Sequence, residues 1–320
     1  MVIDIKGMKA HSWIFSVFSI LTLFTTNALC QEISPESKAV KFIAIGDWGR
    51  NGDDHQLDVA DQLLNQIKKH KPSFLISTGD NFYPNGVRSI HDPLWKHTLE
   101  DVYKNYHFQL DWYAILGNHD YLGDPDAQVA YSSISRRWNM PARYYSKKVP
   151  IRNSQEHALL LFIDTNSLIP QFYANPTYGP NVAKTDSLEQ KKWMKEQVNT
   201  SGKDAKWIIV VGHHPMYSGG RVENYDTVAI RKSLKEYIKE LNVDLFLSGH
   251  DHSLQYLVED GIHQVISGSG SEVTPSAKLP YTKFTASEAG FMLFSIDSNQ
   301  IKFDAINKNG VTIFSGLLEK

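Results

Sequence analysis

Five short polar clusters in this 320-residue chain carry the residue types that bind metal ions or move protons. In chain order they are Asp47 in GDWG, Asp80 and Tyr83 in GDNFY, Asn118 and His119 in GNHD, His213 and His214 in GHHP, and His250 and His252 in GHDH. A glycine stands before the first polar residue of each, which lets the backbone turn sharply and approach a ligand closely. One Gly-Asp is commonly a turn, and one histidine at a strand end is commonly a packed rim residue. Five such clusters together point to a site. Their donors include three histidines, two carboxylates, an amide oxygen and a phenol, a nitrogen and oxygen set without thiolate. That excludes soft-metal sites and favours iron, zinc or manganese. Seven donors are too many for one tetrahedral zinc and suit two ions about 3.5–4 Å apart that share a carboxylate. The phenol is informative, because a hard anionic oxygen stabilises trivalent iron over a divalent ion.

Such donors must be presented by rigid elements. From Lys41 onward, apolar runs alternate with polar, helix-like stretches: KFIAIGD, FLISTGD, WYAILGN, HALLLFID, WIIVVGH and VDLFLSGH. Each run has the length and the Ile, Val, Leu and Phe content of a strand buried on both faces. Five of the six end in one of the polar clusters, where ligands bind in α/β sheets. Between them, His55 to His70 places Leu57, Ala60, Leu63, Leu64 and Ile67 on one helical face. The stretch Thr227 to Leu241 does the same with Ile230, Leu234, Ile238 and Leu241. Ser187 with Gln190 has the spacing of a capping box, opening a helix that runs to about Val198. Beyond His252 the pattern becomes short strands and turns: HQVISGSG, GFMLFSI, IKFDAI and VTIFSG. No linker, repeat or charge block divides residues 38–320, so a single α/β domain with a β-rich C-terminal end is expected there.

Composition narrows the function by exclusion. Hydrophobic residues make up 42% and charged residues 21%, which rules out a disordered chain. Thirty-three basic against 35 acidic residues give a net charge of −2 without like-charge blocks. That is not the footprint of a nucleic-acid or membrane-surface binder. The single cysteine, Cys30, excludes a disulfide framework, a cysteine zinc site and an iron–sulfur cluster. Near the start, Lys6 and Lys9 precede an apolar run from Trp13 to Phe24. The run is short of the roughly 20 residues needed to span a bilayer and suits a signal-peptide core. Residues 1–30 are therefore expected to be a signal peptide and 31–320 the catalytic domain, secreted or periplasmic. A second reading lipidates Cys30, although Leu29 fits a lipobox poorly.

The five blocks resemble the purple acid phosphatases, members of the calcineurin-like metallophosphoesterases, whose pattern is DxG, GDxxY, GN(H/D/E), VxxH and GHxH. The matching residues are Asp47 to Gly49, Gly79 to Tyr83, Gly117 to His119, Val210 to His213, and Gly249 to His252. A common relative of this fold has DxH in the first block and no tyrosine; here Gly49 takes that place and Tyr83 supplies the missing donor. WNMPARYYS, IDTNSL and GHDHSLQYL extend the likeness to the small mammalian type over roughly residues 40–320.

The resemblance implies a four-layer α/β/β/α sandwich with two mixed sheets. It also implies a metal pair, with Asp47, Tyr83 and His252 on ferric iron and Asn118, His213 and His250 on a divalent ion (iron, zinc or manganese). Asp80 would bridge them. The implied activity is hydrolysis of phosphate monoesters by a metal-held hydroxide, with His119 donating to phosphate or protonating the leaving alcohol. One departure stands out: a further histidine expected after the VxxH block is missing, and SGGRVENYD follows instead. Arg221, with its planar fork, and His214 are the candidates to bind substrate in its place. A metallophosphodiesterase or nucleotidase on the same metal core is the alternative, and a non-catalytic metal or phosphate binder the third class. No partner beyond the substrate is expected, and a monomer is.

Overall fold

The computed structural model describes residues 39–152 and 154–320, which belong to one compact unit. The expected signal peptide and Cys30 lie outside the described residues. Strand β1 (Val40–Ile45) is buried apart from the partly exposed Lys41. After the helix Gln56–His70 come β2 (Phe74–Ser77), β3 (Asp111–Ala114) and the short β4 (Trp138–Asn139). These four pair in parallel in the order β1-β2-β3-β4. The chain then forms a second sheet with β5 (Tyr145–Pro150), β6 (His157–Phe162), β7 (Trp207–Val211), β8 (Leu245–Ser248), β9 (Leu254–Glu259), β10 (Ile262–Ser267) and β11 (Thr282–Ala286). It returns to the first sheet through β12 (Gly290–Ile296), β13 (Gln300–Asn307) and β14 (Thr312–Glu319). The resulting orders are β14-β13-β12-β1-β2-β3-β4 and β11-β9-β10-β8-β7-β6-β5.

Both sheets are mixed. Strands joined through helices pair in parallel, and strands joined by tight turns pair antiparallel, as the connection lengths require. The sheets face each other across aromatic contacts. The Tyr113 and Phe162 rings lie 6.0 Å apart, and those of Tyr256 and Phe303 5.0 Å. Hydrogen bonds cross the same interface: Tyr145 donates to the Ala114 carbonyl at 2.9 Å, and Ser267 to that of Ala44 at 2.8 Å. Helices cover the outer faces, giving the α/β/β/α sandwich. Gln56–His70 buries Val59, Leu63 and Ile67, and Tyr225–Glu240 buries Ile230, Leu234 and Ile238.

Register then brings the polar clusters level. Ile45 of β1 is opposite Ser77 of β2, and Ser77 is opposite Ala114 of β3. In the second sheet Val211 of β7 pairs with Leu247 of β8. The loops that follow, at residues 46–49, 78–83, 115–119, 212–214 and 249–252, therefore leave from matching carboxyl ends.

Two local expectations are corrected. Leu57 is 54% exposed instead of sharing the buried face of its helix. The capping box does not form either. Asp186 is the N-cap, accepting from the Leu188 and Glu189 amides, so Ser187 is already inside the helix Ser187–Thr200. Gln190 is drawn elsewhere: its Oε1 accepts from Asp164 N at 2.7 Å, and its Nε2 donates to Asp164 O at 3.0 Å. Satisfying a buried backbone outweighs a local cap. Asp186→Ala is expected to lower unfolding stability by about 1 kcal/mol, with a smaller loss for Ser187→Ala. Denaturant titration measures both, and equal losses would restore the capping box.

Candidate metal centre

The metal-type residues are aimed by unusual backbone. Asp47 (φ 57°), Asp80 (φ 50°) and His250 (φ 70°) all lie in the left-handed region. An L-residue pays roughly 1–2 kcal/mol for that conformation, and aspartate tolerates it better than most. Hydrogen bonds hold each turn in place. Asp47 N donates to Gly79 O at 3.0 Å, His119 N to Asp80 Oδ1 at 2.8 Å, and His250 N to Asp47 Oδ2 at 2.9 Å. The loops thus fasten one another through the carboxylates they carry. Glycine allows the close approach at two points. A Cβ on Gly117 would overlap Asp80 Oδ1, and one on Gly49 would overlap the Asn81 carbonyl. The second contact explains why the first motif carries no larger residue at its third position.

Seven donor atoms converge in two groups. In the first, Tyr83 Oη lies 3.2 Å from Asp47 Oδ1, 3.1 Å from His252 Nε2 and 3.0 Å from Asp80 Oδ2. In the second, Asn118 Oδ1 lies 3.2 Å from His213 Nε2 and 2.9 Å from His250 Nδ1, and the two nitrogens are 3.3 Å apart. Asp80 Oδ2 belongs to both, because it is also 3.5 Å from His213 Nε2. Adjacent ligands at right angles around an ion, each about 2.1 Å from it, are separated by about 3 Å. The observed spacings match that figure.

The donor chemistry fits two cations better than it fits hydrogen bonds alone. Tyr83 brings one proton to three acceptors. His213 Nδ1 lies 2.8 Å from Thr78 O, and His250 Nε2 lies 2.9 Å from Asp226 Oδ2. With those outer nitrogens donating, neutral His250 Nδ1 and Asn118 Oδ1 present lone pairs to one another, and His213 Nε2 joins them once its proton is displaced, a repulsion that a cation relieves. Burial pushes the Asp80 carboxyl up, yet His213, His119 and His250 hold it well below the ordinary range. Burial alone would depress His213, but Asp80 raises it to about 9. Burial lowers His250 to about 4, against Asp226. His250 is therefore neutral near pH 7, the form that binds metals. Burial, with Asp47 and Asp80, drives the Tyr83 phenol well above its usual value. The Arg50 guanidinium offsets this only in part, so ionisation of the phenol calls for a cation at its oxygen.

Three residues singled out for substrate lie around this centre. His119 is half-buried, and its Nδ1 sits 2.6 Å from Pro84 O, so that nitrogen donates to the carbonyl. Its ring rests 4.4 Å from that of Tyr83. Arg221 has its Nε 3.2 Å from Asp251 Oδ1 and its Nη1 3.1 Å from His250 Nε2, with 42% of the side chain exposed. His214 corrects the expectation of substrate contact. It is fully buried, its Nδ1 lies 2.8 Å from Thr165 Oγ1, and its ring packs 4.4 Å from that of His250. No His214 surface is left for a substrate to touch.

Other residues at the site were not apparent from the motifs. Asp226 orients His250 as described, and Glu272 lies 3.4 Å from His252 Nδ1. Asp120 accepts from the amides of Gly117 (2.8 Å), Asn81 (3.1 Å) and Phe82 (3.3 Å), tying the GNHD loop to the GDNFY loop. The half-buried Tyr178 phenol lies beside the Asn118 side chain, and its ring stacks on Phe172 at 4.4 Å. Only the aspartate of GNHD sat inside a visible motif; Tyr178, Asp226 and Glu272 carried no local signal.

A family profile for calcineurin-like phosphoesterase matches residues 40–254, which contain every donor described. The chain belongs to the calcineurin-like phosphoesterases. Within them it groups with the purple acid phosphatases, as the resemblance implied. It is 32% identical to tartrate-resistant acid phosphatase type 5 of Homo sapiens over 302 residues, 88% of this chain and 91% of that one. Identity to purple acid phosphatase 17 of Arabidopsis thaliana is 33%, covering 88% and 85%. Among solved structures, GAP50, described as the anchor in the inner membrane complex of Plasmodium, aligns with a TM-score of 0.75. That alignment has 26% identity over 88% of this chain and 89% of that one. In a purple acid phosphatase frame, the two donor groups sharing Asp80 are the feature to test. Asp80→Ala should lose more bound metal and more activity than Asn118→Ala, whose single neutral oxygen water can partly replace. Elemental analysis decides between them; equal metal content in the two variants would contradict a shared role for Asp80.

Proposed function

We propose that this metallophosphoesterase is an exported acid phosphatase that hydrolyses phosphate monoesters at a ferric–divalent metal pair. Asp47, Tyr83 and His252 would hold the ferric ion. Asn118, His213 and His250 would hold the divalent ion (iron, zinc or manganese), and Asp80 would bridge. The observation carrying this reading is the single Asp80 oxygen placed between a phenol-containing and a histidine-rich donor group. When bound, the pair supplies Lewis-acid neutralisation of phosphate charge and an activated water nucleophile at acidic pH.

The chain's own side chains supply the rest. Asp226 and Thr78 hold His250 and His213 by their outer nitrogens, so the inner nitrogens keep a fixed direction. His119 donates from Nδ1 to Pro84 O, and Nε2, without a protein partner among the described residues, is the atom that carries the proton to the leaving alcohol. Asp251 anchors Arg221 beside the His250 half of the centre, where the remaining guanidinium N–H groups can meet a phosphate oxygen. Export rests on the basic and apolar start of the chain. No helix among the described residues is long and apolar enough to cross a membrane. The seven-donor set is what supports catalysis here.

A metal-quantified preparation should hydrolyse p-nitrophenyl phosphate faster than bis(p-nitrophenyl) phosphate. The reverse order would favour the phosphodiesterase reading, and no turnover of either would favour the non-catalytic one. His119→Ala should keep both metals while kcat falls by roughly 10²–10⁴-fold. The loss should shrink for esters with good leaving groups, which need little protonation. Metal loss in that variant would make His119 a structural prop instead.

A further inference from the structure

Arg50 follows the first donor loop, and its guanidinium carbon stands 3.9 Å from the centroid of the Tyr83 ring. Arg50 Nη2 donates to Glu272 Oε2, and its Nε faces Asp54 Oδ2 at 3.3 Å. The same Glu272 oxygen lies 3.4 Å from His252 Nδ1. One ion pair therefore braces, from outside, both the phenol and the imidazole of the first donor group. The Arg50 side chain is only 22% exposed, so its charge acts on the ring through partly desolvated space, where cation–π attraction is strongest. A planar guanidinium can lie against a ring face in a way that an ammonium cannot.

We infer that Arg50, balanced by Glu272, is an electronic tuning residue for the metal held by Tyr83, setting the energy of the phenolate and the reduction potential of the iron. The inference rests on the ferric–phenolate reading above. A cation stacked on the ring stabilises negative charge there. Light-driven charge transfer moves electron density from the ring to the iron, away from Arg50. The cation therefore raises the energy of the transition and shifts the absorption band to shorter wavelength. It also favours the less positive ferrous state, which raises the potential. Glu272 opposes both effects by offsetting the charge.

The test is visible absorption and mediated potentiometric titration of iron-quantified wild-type protein, Arg50→Gln, Arg50→Lys and Glu272→Gln. Arg50→Gln should move the band to longer wavelength and lower the potential. Arg50→Lys should fall between it and wild type, because charge is kept while stacking is lost. Glu272→Gln should shift both in the opposite sense, which keeps the inference testable even where Arg50→Gln fails to fold or to retain iron. A band and potential unchanged in iron-loaded Arg50→Gln, or in Glu272→Gln, would overturn the tuning role while leaving the ferric–phenolate reading intact. Absence of any such band in iron-loaded wild type would overturn that reading, and this inference with it.

Discussion

The arrangement depends on one carboxylate oxygen. Asp80 Oδ2 stands 3.0 Å from the Tyr83 hydroxyl and 3.5 Å from His213 Nε2, so it joins two donor groups, each of which draws residues from both sheets. Tyr83 follows β2 in the first sheet, and His213 follows β7 in the second. For the oxygen to reach both, Asp80 must adopt a left-handed backbone, its other oxygen must be fixed by His119 N, and Gly117 must lack a side chain. The two sheets must also face each other with their parallel strand ends level, which the β1–β2–β3 and β7–β8 registers provide. A shift of one residue in either sheet would turn these side chains to the other face.

Strain and electrostatics at the centre have the same origin. Three non-glycine residues with positive φ cost a few kcal/mol together, and seven lone-pair donors crowd into buried space. Neither is a natural choice for a metal-free core. Both become favourable once cations occupy the space between the donors, so folding of the loops and metal binding reinforce each other. The histidines illustrate the principle. His213 and His250 have their outer nitrogens hydrogen-bonded to Thr78 O and Asp226, which keeps the inner nitrogens directed at the site, while Glu272 lies 3.4 Å from His252 Nδ1.

The elements and donors of this site were legible in the sequence because their signals are local. Six apolar runs had strand length and five of them ended in glycine and a polar donor; the structure turns all six into strands, β1 to β3 and β6 to β8. What local pattern could not show was that these runs divide three and three between two sheets, since the strands of each half look alike. The family resemblance, not periodicity, carried that expectation. Long-range partners were equally hidden. Glu272 lies 222 residues from Arg50, and Asp226, in the first turn of the helix Tyr225–Glu240, meets a histidine 24 residues further along the chain. Gln190 shows local reasoning overruled: its spacing fitted a helix cap, but buried Asp164 backbone groups offered it better partners. Leu57 likewise followed a helical stripe in sequence, yet its position on the helix leaves it exposed.

Tyr83 separates this centre from a generic pair of divalent ions, and its ionisation is what a ferric ion would bring about. The most direct measurement is the visible absorption spectrum of wild-type protein with its iron quantified, compared with Tyr83→Phe. A charge-transfer band giving a purple to pink colour in wild type, bleached in Tyr83→Phe with the fold intact, is the predicted result. A colourless wild-type protein carrying a full complement of ferric iron would contradict the account.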